Sequence, residues 1–205
     1  NFILENFFQV GIIAVIIMFQ PEFRRVLEKM GRTKVSNIAI NFEGSNEIGG
    51  AEGAIKEIAE ACFRLSHTAT GALIVIERQT RLGEQIDTGT IVRAVPSAEL
   101  LCNIFYPNTP LHDGAVIIRD GLVYAAGCFL PKPQKEELIS KDLGSRHRAA
   151  IGMSEVSDAV VIAVSEETGM VSVAENGTLT RGFTKESLIR LLTARLIPEP
   201  TEKIR

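Results

Sequence analysis

Ala72-Leu73-Ile74-Val75-Ile76 is an unbroken apolar run, preceded by Gly71 and followed by Glu77. A run this short and this uniformly apolar reads as a strand buried on both faces of a sheet. Working outward, Ala115–Ile118 and Ala159–Val164 have the same character, so three central strands are predicted. Asp120-Gly121 separates Ala115–Ile118 from Leu122–Phe129, and Asn176-Gly177 separates Met170–Ala174 from Thr178–Arg181. Such dipeptides close two-residue turns, which predicts two hairpins. Between Ala51 and His67, apolar residues recur at Ala54, Ile55, Ile58, Ala59, Cys62, Phe63 and Leu65, close to a helical period, with Gly71 placed as the exit into the first strand. Further helices are predicted over Ser97–Phe105, Arg146–Val156 and Lys185–Leu196, with Ser145 and Thr184 as N-caps and Pro198 as a stop. Helices interspersed with hairpins give an α/β (α+β) class built on a mixed central β-sheet surrounded by helices.

At 205 residues the chain can bury one substantial core, and one domain is expected. Lys and Arg number 22 against 25 Asp and Glu, a formal net charge of −3. No global basic field is present to hold a long nucleic acid, so no nucleic-acid partner is expected and any phosphate must be gripped locally. With no Trp and two Tyr, an aromatic platform for single strands is also lacking. Cys62, Cys102 and Cys128 are widely spaced in apolar surroundings and read as buried thiols of a reducing compartment. No Cys-x-x-Cys or His-x-x-x-His spacing supports a structural zinc site.

The front of the chain differs. Phe7–Phe19 is apolar apart from Gln9 and Gly11, and is followed by Arg24, Arg25, Lys29, Arg32 and Lys34. Thirteen helical residues rise about 20 Å, short of the roughly 20 residues that a bilayer core needs, so upstream residues must complete any span. The basic cluster suits the cytoplasmic flank of a membrane helix. A chain cut from something longer is expected, with residues 1–30 the end of a membrane-anchoring apolar helix and 31–50 a linker. Residues 51–197 are then the globular domain and 198–205 a C-terminal tail. A buried or interface helix of a soluble protein is the alternative for the apolar run; a signal peptide fits less well, because the basic residues follow the run.

Three stretches set polar and ionisable residues against the apolar strands. Pro107-Asn108-Thr109-Pro110-Leu111-His112-Asp113-Gly114-Ala115 enters the strand beginning at Ala115, where a Gly lets a ligand approach the backbone and a carboxylate can take a proton or a metal. By its residues alone it reads more readily as a plain Asp-Gly turn. Gly144-Ser145-Arg146-His147-Arg148 stands at a predicted helix start, where free N–H groups and two guanidinium forks make a phosphate cradle. A solvated basic turn is its other reading. Ser165-Glu166-Glu167-Thr168-Gly169 follows the third strand and offers two carboxylates for Mg²⁺ or Mn²⁺, or merely a solvated turn. There is no Walker-type or Gly-x-Gly-x-x-Gly stretch.

Taken together, NTPLHDGAVII, SRHRAAIGMSEVSDA and VSEETG resemble the diadenylate cyclase domain family, whose signatures Asp-Gly-Ala and Arg-His-Arg occur as Asp113-Gly114-Ala115 and Arg146-His147-Arg148. The resemblance runs from about Ala51 to Leu192, and the apolar front end with FQPEFRR is similar to the membrane-anchored subfamily. It implies a nucleotidyltransferase that condenses two ATP into cyclic di-AMP across a face-to-face homodimer, at the cell membrane with the catalytic domain in the cytoplasm. By the same resemblance Asp113 assists deprotonation of the ribose 3′-hydroxyl, and Gly114 and Ala115 let the nucleotide close on the backbone. Ser145, Arg146, His147 and Arg148 hold phosphates, and Ser165 and Glu166 border the pocket. His112 and Glu167 hold the metal, Mg²⁺ or Mn²⁺ with Co²⁺ as a third candidate. Adenine lies against Phe129 and Leu130, the former at a position filled by Tyr in some relatives. A membrane-bound regulator and the phosphoglucosamine mutase of cell-wall synthesis are implied partners. Competing readings are a membrane-tethered sensor that binds ATP or cyclic di-AMP without turnover, an adenylyl transferase or nucleotide hydrolase with another acceptor, and a structural domain with solvated turns.

Overall fold

The computed structural model describes residues 50–134 and 143–197. The expected membrane helix, nearly all of the linker, and the tail beginning with Pro198 lie outside them. The described elements are α1 (Gly50–His67), β1 (Ala72–Ile76), α2 (Gly83–Ile86), β2 (Thr90–Ala94), α3 (Ala98–Ile104), β3 (Ala115–Arg119), β4 (Leu122–Cys128), α4 (Ser145–Val156), β5 (Val160–Val164), β6 (Val171–Glu175), β7 (Thr178–Arg181) and α5 (Lys185–Leu196).

The strands form one sheet in the order β2-β4-β3-β1-β5-β6-β7. β1 runs parallel to β3 and antiparallel to β5, and the remaining neighbours are antiparallel, so the sheet is mixed as expected. The three uniformly apolar runs are its central strands. Their uniformity follows from burial on both sides: Ala72, Ile74 and Ile76 share a core with α1, α3 and α5, while Leu73 and Val75 share another with Leu82, Ile86, and Ala150 and Met153 of α4. β3 and β5 alternate in the same way, with Val116, Ile118, Val160, Ile162 and Val164 on the first face and Ala115, Ile117, Val161 and Ala163 on the second.

Both hairpins are where the dipeptides put them. Asp120 and Gly121 have φ of 49° and 77°, and Asn176 and Gly177 have 50° and 75°, the paired positive values of a type I′ turn. α5 begins at the expected cap, where Thr184 Oγ1 accepts from Ser187 N and Ser187 Oγ accepts from Thr184 N. The cap expected at Ser145 is corrected: Gly144 is the N-cap of α4 and Ser145 its first helical residue, with no side chain capping the end. Gly144 takes the extended conformation a cap needs, which puts Ser145 one position too late to cap. Two elements escaped the sequence reading. β2 is an edge strand with exposed Thr90, Ile91 and Arg93, so it has no apolar run, and α2 is four residues long, too short to show a period.

A buried carboxylate locks the far end of the sheet. Glu77 is 5% exposed and follows β1 directly; its Oε2 accepts from Arg119 Nη2 at 2.7 Å and Leu82 N at 2.8 Å. Its Oε1 accepts from Arg81 Nη1 at 2.8 Å and Arg119 Nε at 2.9 Å. Replacing Glu77 leaves Arg119, whose side chain is mostly buried, without its carboxylate partner. Glu77→Ala is expected to destabilise the domain by about 3–5 kcal/mol in urea denaturation, against little change in the urea midpoint for truncating the exposed Glu99, which pairs with Arg64.

Candidate functional site

The register of the sheet decides which loops meet. Ile74 stands opposite Val116, which puts Gly114 level with Ala72. Ala72 pairs with Val164, and Val164 with Val171. Ala115 pairs with Cys128, Thr90 with Ala126, and Ser172 with Arg181. The starts of β1, β3 and β6 and the ends of β4, β5 and β7 therefore share one sheet edge. At ~4.8 Å between strands, Gly114 and Ser165 are two spacings, roughly 10 Å, apart along it. Residues separated by up to some 50 positions in sequence are brought within reach of one small ligand.

Part of that edge is an open cleft lined by Gly144, Ser145, Arg146, His147, Val164, Ser165, Glu166, Glu167, Thr168 and Arg181. The N-terminus of α4 opens into it with no side-chain cap and no acid in the first turn, so its N–H groups and positive dipole end face the cleft. Arg146, in that turn, forms an ion pair with Glu166 across the cleft. Gly71 leaves room for Arg146, since a methyl group there would come within 2.7 Å of the guanidinium carbon as it now lies. The signal at Gly71 was visible as a glycine at a strand mouth, but the seat it provides depends on packing of α4 against β1.

Ser165 braces the opposing turn, its Oγ accepting from Glu167 N at 3.3 Å and Thr168 N at 3.2 Å. His147 is 4% exposed, with Nε2 3.4 Å from Ser172 Oγ. Burial, with a smaller contribution from the Arg181 guanidinium, holds its pKa below the ordinary value of 6.5 against the opposing pull of Glu167. Its ring thus forms a neutral part of the cleft wall. Arg148 turns back, its Nε donating to the Leu143 carbonyl at 3.0 Å.

Asp113 is exposed at the mouth of β3. Gly114 next to it has φ of 110°, and a side chain there would run into the Gly127 and Cys128 backbone at 2.8–2.9 Å, so the turn admits only glycine. His112 Nδ1 lies 2.5 Å from the Thr109 carbonyl oxygen. That oxygen can only accept, so Nδ1 carries a proton, and in the neutral ring Nε2 is the nitrogen with the lone pair. Beyond β3, the Phe129 ring is 67% exposed at the end of β4, with its N–H donating to Thr88 Oγ1, and Leu130 packs partly into the second core. The sequence-derived residues accordingly fall in one row: Phe129 and Leu130, then His112–Ala115, then Ser145–His147 with Ser165–Glu167. Arg181 was not foreseen, since its approach depends on pairing between β6 and β7.

Fold and cleft together define a mixed α/β domain with an anion-receptive cleft at one sheet edge. The family model described as DisA bacterial checkpoint controller nucleotide-binding (DAC) matches residues 59–179. The chain belongs to this diadenylate cyclase domain family, as its motifs led one to expect. It is 48% identical over 184 residues to the cyclic di-AMP synthase CdaA of Bacillus subtilis (strain 168), covering 90% of this chain and 66% of that protein. A crystal structure of DacA from Staphylococcus aureus, in a doubly cysteine-substituted form, superposes with a TM-score of 0.69 at 44% identity, covering 72% of this chain and 97% of that one. A hypothetical membrane spanning protein from Bacillus cereus matches with a TM-score of 0.60 at 47% identity, covering 62% of each chain.

The depressed His147 fixes a sign for pH dependence. The unfolded chain takes up a proton at His147 near 6.5 and the folded chain only at lower pH. Stability from this group is therefore complete above 6.5 and is lost as pH falls through that value towards the folded pKa. Between about pH 7.5 and pH 5.5 the urea midpoint of the wild type is expected to fall more steeply than that of His147→Gln. Parallel curves would show that the histidine is not buried neutral.

Proposed function

We propose that this chain is the catalytic part of a diadenylate cyclase, condensing two ATP into cyclic di-AMP and two pyrophosphate. The observation that carries the reading is the sheet register, which aligns Asp113-Gly114-Ala115 with the Arg146 cradle along one edge. Relatives named as cyclic di-AMP synthase support it. In each of two transfers a ribose 3′-oxygen attacks the α-phosphorus of the other nucleotide. The O3′–Pα bond forms, the bond from Pα to the bridging β-phosphate oxygen breaks, and pyrophosphate leaves with that electron pair. The exposed carboxylate of Asp113 receives the hydroxyl proton. Arg146, Ser145 and the uncapped α4 N-terminus hold the phosphates, and Phe129 and Leu130 receive the adenine.

One row of residues accommodates one nucleotide, and cyclic di-AMP needs two, each 3′-hydroxyl in line with the α-phosphate of the other. Two copies facing edge to edge supply the second nucleotide and the alignment, so a homodimer is the active form. The candidate donors for a divalent ion, Mg²⁺, Mn²⁺ or Co²⁺, are His112 beside the mouth of β3 and Glu167 at the cleft, either of which would bind it together with substrate phosphates. Among the described residues no group of three or more His, Cys, Asp or Glu side chains is assembled, which suits an ion held by one or two side chains and the substrate phosphates. When bound, such an ion offsets the charge developing on the phosphates. No helix among the described residues is long and apolar enough to cross a membrane, and anchoring at the cell membrane with this domain in the cytoplasm falls to the apolar run Phe7–Phe19.

The test is product identification by mass spectrometry after incubating the chain with ATP and Mn²⁺ or Mg²⁺. Cyclic di-AMP is expected from the wild type, and a rate lower by roughly 10²–10⁴ in Asp113→Asn with ATP binding kept. ATP binding with no cyclic product, under either metal and at high protein concentration, would sink the cyclase reading in favour of a sensor.

A further inference from the structure

Arg181 ends β7, opposite Ser172, and lines the cleft from the side facing away from Asp113. Among the described residues its side chain makes no ion pair and no hydrogen bond. The other cations of the cleft region are engaged: Arg146 pairs with Glu166, and Arg148 donates to the Leu143 carbonyl. A carboxylate is available to Arg181, since Glu167 lines the same cleft, yet the two do not pair. The guanidinium is close enough to His147 to oppose its protonation, so its charge is felt inside the cleft and not only in solvent.

Position along the edge gives this cation a task. A nucleotide with its base at the end of β4 and its ribose at Asp113 on β3 has its phosphates running past Gly71 and Arg146 on the β1 side towards β5 and β7. The α-phosphate, nearest the ribose, falls to Arg146 and the α4 N-terminus. The β- and γ-phosphates extend further in the same direction, to the part of the cleft bounded by Glu167, Thr168 and Arg181. A planar guanidinium suits two oxygens of such a group, and its positive charge favours the diphosphate more as the bond to the α-phosphorus breaks.

We propose that Arg181 is the binding residue for the departing diphosphate, taking the β- and γ-phosphates of ATP while Arg146 and the α4 N-terminus hold the α-phosphate. The assignment rests on the cyclase reading and specifies which part of the substrate each cation serves. It makes a distinction that a merely structural arginine would not make, because cyclic di-AMP retains both α-phosphates and lacks every β- and γ-phosphate.

The experiment measures, by calorimetry on the 205-residue chain, the affinities of wild type, Arg181→Gln and Arg181→Lys for ATP and for cyclic di-AMP, with thermal melting as the folding control. Arg181→Gln is expected to weaken ATP roughly ten- to hundredfold and leave cyclic di-AMP within about twofold, the scale of one lost charge-assisted contact. Arg181→Lys, which keeps the charge but not the fork, is expected to recover part of the ATP loss. Equal weakening of both ligands, or no change in either, would overturn the assignment of Arg181 while leaving the cyclase reading intact. Failure of the wild type to bind ATP would overturn both.

Discussion

β1 carries no polar side chain from Ala72 to Ile76, and each of its faces is covered by helices. A strand buried in this way tolerates no slip, because moving it by one residue would exchange the side chains packed on α1 for those packed on α4. The parallel register with β3 and the antiparallel register with β5 are fixed by this constraint. Once they are fixed, the turn entering β3 and the turn leaving β5 must lie on the same edge, two strands apart. Everything at the cleft depends on that alignment.

The electrostatics of the edge follow from what is left unsatisfied there. α4 starts without a side-chain cap and with two arginines in its first residues, an arrangement that costs stability in the absence of an anion. Glu166 supplies the anion to Arg146 in the structure, from an exposed turn from which it can withdraw. Gly71 leaves room for the guanidinium without competing for it. The opposite end of the sheet is treated differently: Glu77 there is buried and fully engaged by Arg81, Arg119 and the Leu82 amide. One end is locked by internal charge pairs and the other keeps its charge for exchange.

Conformational demands at the cleft fall on the backbone more than on side-chain packing. Gly114 lies where no side chain fits beside Gly127 and Cys128, so Asp113 is carried on a turn pressed against the sheet. Thr109 sets the tautomer of His112 through its carbonyl. These contacts orient the reactive groups without burying them, which leaves Asp113 and Phe129 open at the rim.

The sequence by itself determined the central strands, both hairpins and the start of α5, because burial on two faces, type I′ turns and the Thr184 cap are each specified by a few adjacent residues. It also determined the family, through Asp113-Gly114-Ala115 and Arg146-His147-Arg148. It could not supply β2 or α2, whose residues carry no apolar pattern, since an edge strand faces water and a single helical turn shows no period. Nor could it choose between cleft and solvated turn at each polar stretch, because a local pattern does not say which distant loop stands opposite. Only the tertiary structure decided that Arg146 rests on Gly71, that His147 is a buried neutral wall, and that Arg181 enters the cleft. Each of those facts requires contacts between strands and helices far apart in the chain, set by the register of β1.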